Sequence, residues 1–258
     1  MNSNVIDAVR EKSPLIHHIT NHVVMNFSAN GLLSFGGSPI MAKEEQEVEE
    51  IVQVADGLLL NIGTAVEQDY KSMIRAGIKA NDRGIPVLFD PVGVGASQFR
   101  QANVQKLLKE ITPTVIKGNA AEIAYLADVK WKAKGVDAVG DGNVIELAEK
   151  AFDRYQCPVV LTGKRDVIVT AGKTVTNKTG HRWLERITGA GCLLGTIITS
   201  CISVDGDLQE QLKEAVYFYG LAAEYASQLQ HVKGPGTFIP HFIDALSYDL
   251  TFLKEATK

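Results

Sequence analysis

Four short segments of the chain carry consecutive apolar residues rather than alternating ones, within residues 57–62, 86–90, 114–117 and 158–162. Strands with one face in water alternate, whereas strands covered on both faces do not, so these four read as buried parallel strands. Between them the apolar positions recur at helical spacing, over 68–83, 98–111, 120–127 and 144–155. Strand–helix–strand alternation predicts an α/β fold: a mostly parallel central sheet flanked by helices on both faces. Residues 166–170 and 174–177 read as two further short β-like runs, and the Ala171-Gly172-Lys173 turn between them predicts a hairpin added antiparallel to one sheet edge. The last third reads as helix over 190–202, 208–229 and 235–254. Neither an internal repeat nor a Pro/Gly/Ser-rich linker divides the chain, so one domain over 1–258 is expected.

Composition narrows the classes. With 258 residues, 45% hydrophobic and 22% charged, the chain is that of an ordinary soluble globular protein. A net charge of −4 offers no basic footprint for nucleic acid. Three scattered cysteines (Cys157, Cys192 and Cys201) make neither a disulfide framework nor a paired metal site, and point to a reducing compartment. The start lacks a basic segment followed by an apolar core, and no apolar run approaches the ~20 residues that span a bilayer. A cytoplasmic protein without a membrane partner is expected.

Ligands of open parallel sheets bind beyond the carboxyl ends of the strands. There the chain repeatedly couples a polar side chain to glycine: Asn61-Ile62-Gly63-Thr64, Asp90-Pro91-Val92-Gly93, Lys117-Gly118-Asn119 and Thr162-Gly163. Further on, Gly189-Ala190-Gly191-Cys192 opens a helix, leaving backbone N–H groups and the positive dipole end to meet an anion. Gly189, Ala190 and Gly191 are therefore candidates for stabilising a transferring phosphoryl group, and Cys192 for a thiol whose thiolate forms more easily than usual. A Gly-x-x-x-x-Gly-Lys-Ser/Thr loop is missing, which excludes a P-loop. Magnesium takes one or two carboxylates plus water and phosphate oxygens; Asp90 and Glu122 are its candidates, acting partly through water.

Asn21, Asn26 and Asn30 recur at roughly helical intervals and predict a mixed polar face for a small ligand, Asn21 and Asn26 being the candidate contacts. His18 and His22 have helical i, i+4 spacing, but no third ligand of zinc type lies at a suitable distance. The acidic run 44–50 reads as a solvated first helical turn.

Taken together, Met41 after Ser38-Pro39-Ile40, Asp90-Pro91-Val92-Gly93, Lys117-Gly118-Asn119-Ala120-Ala121-Glu122, Leu161-Thr162-Gly163 and Thr188-Gly189-Ala190-Gly191-Cys192 resemble the hydroxyethylthiazole kinases in order and spacing. The segments Pro14-Leu15-Ile16-His17-His18-Ile19-Thr20-Asn21 and Asn26-Phe27-Ser28-Ala29-Asn30-Gly31 are similar to the same family. The resemblance implies a ribokinase-like fold and phosphorylation of a thiazole alcohol with ATP and magnesium. It implies nucleotide contacts at Lys117 and Thr162, with Asn119 and Thr188 as neighbouring candidates, and thiazole contacts at Met41 and Gly189. It also implies a homotrimer with sites at subunit interfaces. This chain departs from the family pattern in having Lys117 where arginine is more usual and Ala121 where serine is. Cys192 stands where related sugar kinases place aspartate as base, which makes it a useful but dispensable base. The alternatives are a hydroxymethylpyrimidine, pyridoxal or sugar kinase of the same fold, or a sensor that binds without transfer.

Overall fold

The computed structural model describes residues 4–131 and 141–258. Eight strands form one sheet: β1 (Leu15–Ile19), β2 (Ser38–Met41), β3 (Gly57–Asn61), β4 (Val87–Asp90), β5 (Val115–Asn119), β6 (Val159–Thr162), β7 (Asp166–Thr170) and β8 (Lys173–Asn177), in spatial order β2-β1-β3-β4-β5-β6-β7-β8. Strands β2 through β6 are parallel, and the β7–β8 hairpin is antiparallel, closing one edge as expected. The chain starts in β1, steps outward to β2, then reverses to β3, so a topological switch lies between β1 and β3.

Two apolar cores sandwich the sheet. One face carries helices α1 (Val5–Lys12), α2 (Met25–Phe35), α8 (Ala190–Ile202), α9 (Leu208–Gln228), α10 (Pro235–Ala245) and α11 (Leu250–Ala256). The other carries α3 (Val48–Val54), α4 (Glu67–Arg83), α5 (Gln98–Glu110), α6 (Ala120–Leu126) and α7 (Asp141–Tyr155). Strand periodicity sorts the side chains. Leu59, Leu88 and Val115 face the α8 core, while Leu58, Leu60, Phe89 and Ile116 face the other. Two residues further along the first face stand Asn61, Asp90 and Lys117, a polar row at the end of an apolar one.

Strands β1 and β2 are absent from the hydrophobic pattern for identifiable reasons. His17 and His18 interrupt β1, yet both are fully buried and hydrogen-bonded to backbone carbonyls of Ala42 and Ile16. Burial lowers the His18 pKa to about 4, so it folds as a neutral imidazole. The histidines lie on a strand, so the i, i+4 spacing to His22 is not realised on a helix. Pro39 lies in β2, which is tolerated because β2 is the outermost strand. The helix expected over 235–254 is two, α10 and α11, with Asp249 at the start of the second. The acidic run straddles a turn and the first turn of α3; its Glu45 and Glu49 pair with Arg75.

Candidate active site

The carboxyl ends of β1, β3, β4 and β5 bring one cluster together across the topological switch, where open α/β sheets hold ligands. Asn61 and Asp90 are paired in register on β3 and β4. Asn61 Nδ2 donates to Asp90 Oδ2 at 3.0 Å, and Lys117 Nζ donates to the same oxygen at 3.1 Å. From the loop after β1, Asn21 Nδ2 donates to Asn61 Oδ1 at 2.9 Å. Cys192 in the first turn of α8 completes the group: its Sγ receives Asn61 Nδ2 at 3.3 Å and Asn21 Nδ2 at 3.5 Å.

All of these groups except the thiol are deeply buried. Asp90 is inaccessible and Lys117 is 3% exposed. Burial raises the Asp90 pKa to about 6 against the opposing pull of Lys117, while the nearby Glu122 charge pushes it further up. For Lys117, burial works against the ammonium, but the charges of Asp90, Cys192 and Glu122 outweigh it and its pKa is raised. The Cys192 thiol does not behave as expected from its helix position. Burial and the Asp90 charge raise its pKa, and Lys117 with the two amides only partly offsets them. A helix terminus contributes a fraction of a charge, which here loses to a full carboxylate and to desolvation.

The backbone of the 187–191 turn explains the two glycines differently. Gly189 has φ +93°, and a Cβ there would lie 2.7 Å from Val24 Cγ1, so both conformation and space demand glycine. Among the described residues no side chain caps α8, and the exposed Gly191 leaves the helix end open to a ligand. Behind it, Lys117 Nζ would sit 3.4 Å from a Cβ at that position. Tyr219 on α9 donates its buried hydroxyl to the Ala190 carbonyl at 2.6 Å and so fixes the first turn.

The remaining candidates are more dispersed. Thr162 ends β6 beside Asn119, and its hydroxyl donates to the Gly118 carbonyl at 3.4 Å. Thr188 and Asn119 are exposed. Asn119 caps α6, its Oδ1 accepting from Ala121 and Glu122 N–H. Glu122 accepts from Gly93 N–H at 2.9 Å and Asn119 N–H at 2.8 Å, one on each oxygen. By contrast Asp90 Oδ1 is buried with no hydrogen-bond partner among the described residues, a hard oxygen suited to a cation or its water.

Two expected substrate residues lie apart from this cluster. Asn26 is exposed on α2 and bonded to Asn30, while Asn21 precedes the helix and turns inward, so the three asparagines do not share one helix face. Met41 is half-buried in edge strand β2, opposite His18. Three strand steps separate it from Asp90, roughly 15 Å at the spacing of neighbouring strands. Sequence reasoning flagged Asn61 as a strand-end polar residue without giving it a role, and it missed Tyr219; neither contact partner is near in sequence.

Comparison with known proteins follows the same lines. The model of the "Hydroxyethylthiazole kinase family" matches residues 6–251. Hydroxyethylthiazole kinase 1 of Oceanobacillus iheyensis is 53% identical over 247 residues, covering 96% of this chain and 96% of that protein. Among solved structures, the hydroxyethylthiazole kinase protein of Pyrococcus horikoshii superimposes with a TM-score of 0.85 at 35% identity, covering 94% of this chain and 91% of the other. A ribokinase-like superfamily protein of Enterococcus faecalis shares the fold, with a TM-score of 0.68 at 15% identity over 99% and 90% of the two chains.

Proposed function

The chain belongs to the hydroxyethylthiazole kinase family, and from that premise we propose that it transfers the γ-phosphoryl group of ATP to the hydroxyl of 4-methyl-5-(2-hydroxyethyl)thiazole, making the monophosphate used for thiamin. The observation that carries this reading is the convergence of Asn61, Asp90, Lys117 and Cys192 at the uncapped N-terminus of α8. Phosphoryl transfer asks a protein for positioning and for charge stabilisation more than for covalent chemistry. The N–H groups of the 189–191 turn supply oriented dipoles for the equatorial oxygens, and the Lys117 ammonium adds a full charge behind them. As the alcohol oxygen bonds to phosphorus and the bond to the ADP oxygen breaks, the alcohol proton passes to the thiolate form of Cys192, leaving a neutral thiol. A thiol with a raised pKa is a stronger acceptor when ionised but is less often ionised at neutral pH, so its help stays within the ~10²–10⁴-fold of general base catalysis.

Asp90 Oδ1 and Glu122, the latter through water, would hold magnesium, which when bound neutralises phosphate charge. Thr162, Asn119, Thr188 and Lys117 border the nucleotide side. Met41 stands three strands from Asp90, which suits a site that neighbouring subunits share, and the family resemblance implies that the assembly is a homotrimer. The exposed Val23 and Val66, on loops after β1 and β3, suit such an interface. Three free cysteines fit a cytoplasmic setting.

The test is ADP release by purified protein across the thiazole alcohol, hydroxymethylpyrimidine, pyridoxal and sugars, with sedimentation for subunit number. The thiazole is expected to lead in kcat/KM. A sugar or pyridoxal preference would replace the substrate, and thiazole and nucleotide binding without ADP release would make the protein a sensor.

A further inference from the structure

We infer that Asn61 is a positioning residue for the proton acceptor: its amide holds the Cys192 sulfur by its lone pairs and ties it to the Asp90 carboxylate. The inference rests on Cys192 acting in the transfer proposed above.

The amide of Asn61 can take only one orientation. Gly63 N–H, which can only donate, reaches its Oδ1 at 3.0 Å, and Asn21 Nδ2 reaches the same oxygen at 2.9 Å. The nitrogen must therefore face Asp90 and Cys192, where its two hydrogens match the contacts at 3.0 Å and 3.3 Å. Asn61 is 1% exposed, so every hydrogen-bonding position of its amide is used inside the protein. Asn21 repeats the pattern, with one hydrogen for Asn61 and one for the sulfur.

The sulfur thus faces two amide N–H groups, and neither offers it an acceptor in these contacts. Its own hydrogen has to point away from both. Once that hydrogen is lost, the two donors remain in place and favour the thiolate, opposing the Asp90 charge only a residue away. A purely structural asparagine closing the strand-end loop would need only the oxygen side that binds Gly63. Nothing in loop closure requires its nitrogen to bridge a carboxylate and a thiol.

The experiment uses Asn61→Leu and Asn61→Ala in the full chain, each alone and combined with Cys192→Ala. It reads kcat, the KM for thiazole alcohol, and the pH dependence of Cys192 alkylation by iodoacetamide, followed by mass spectrometry of that peptide. The alkylation midpoint is expected to rise by about one pH unit when the donor is lost. Turnover should fall about tenfold, the scale of one hydrogen bond to a charged acceptor, with KM changed less than about twofold. In the Cys192→Ala background most of that loss should vanish, because the group being positioned is gone. An unmoved alkylation midpoint, or an equal loss in both backgrounds, overturns the role of Asn61 while leaving Cys192 as base. Full turnover by Cys192→Ala alone would instead remove the base, and the alkylation shift would still report on Asn61. The alanine variant carries the test should leucine prevent folding.

Discussion

Two helices begin at the same edge of the sheet, α6 after β5 and α8 after the 187–189 turn, and their N-termini are treated in opposite ways. At α6 the free N–H groups are consumed within the chain: Asn119 accepts two of them, and Glu122 reaches back to the Asn119 N–H. At α8 no side chain caps the helix, the entering residue is a glycine in a left-handed conformation, and a buried lysine lies behind the turn. The first arrangement finishes a helix, and the second leaves backbone N–H groups open to water or to an anionic ligand. A dipole alone does not distinguish them. What distinguishes them is whether neighbouring side chains have already answered it.

The contrast can be broken at several places. Gly189→Val introduces both a disfavoured conformation and a collision with Val24; kcat/KM should fall about 10²–10³-fold, the scale of a lost oxyanion donor, with thermal melting showing whether the fold survives. Lys117→Met removes the charge behind the turn and strands Asp90; kcat should fall about 100-fold. Because the ammonium lowers the Asp90 pKa, the acid limb of kcat/KM is expected near pH 6 in the unaltered protein and should move upward in this variant. The sign follows from Asp90 acting as a carboxylate: activity is lost as pH falls through its folded pKa. Cys192→Ala should lower turnover about 10–100-fold without abolishing it, whereas Cys192→Asp should keep or raise it and flatten the rise toward alkaline pH. Asn119→Ala addresses the closed helix end. It should cost about 1 kcal/mol of stability in chemical denaturation, with only a modest rise in the KM for ATP.

How far the sequence reveals this contrast depends on the range of the forces involved. Strands β3 to β6 were readable because burial on both faces leaves an apolar run without alternation, and the hairpin because the Gly172-Lys173 turn stands between two short β-like runs. His17-His18 and Pro39 hid β1 and β2, since sheet membership there comes from neighbours rather than from the residues themselves. At the site, Asp90, Lys117 and Cys192 could be picked out by residue type and motif. The sign of the Cys192 shift could not, because the burial and the carboxylate that set it come from separate strands. Glu122 shows the reverse: its i, i+3 relation to Asn119 is a local capping box, legible in sequence as an alternative to metal binding.

Pro39 has one more effect. Ser38 N–H points inward to the Pro14 carbonyl, so the next residue turns its backbone outward, and that residue has no N–H to offer. The rim of β2 is therefore a poor template for a further strand. Copies of this chain that meet along that border must recognise one another through side chains such as Met41, not by extending the sheet from molecule to molecule.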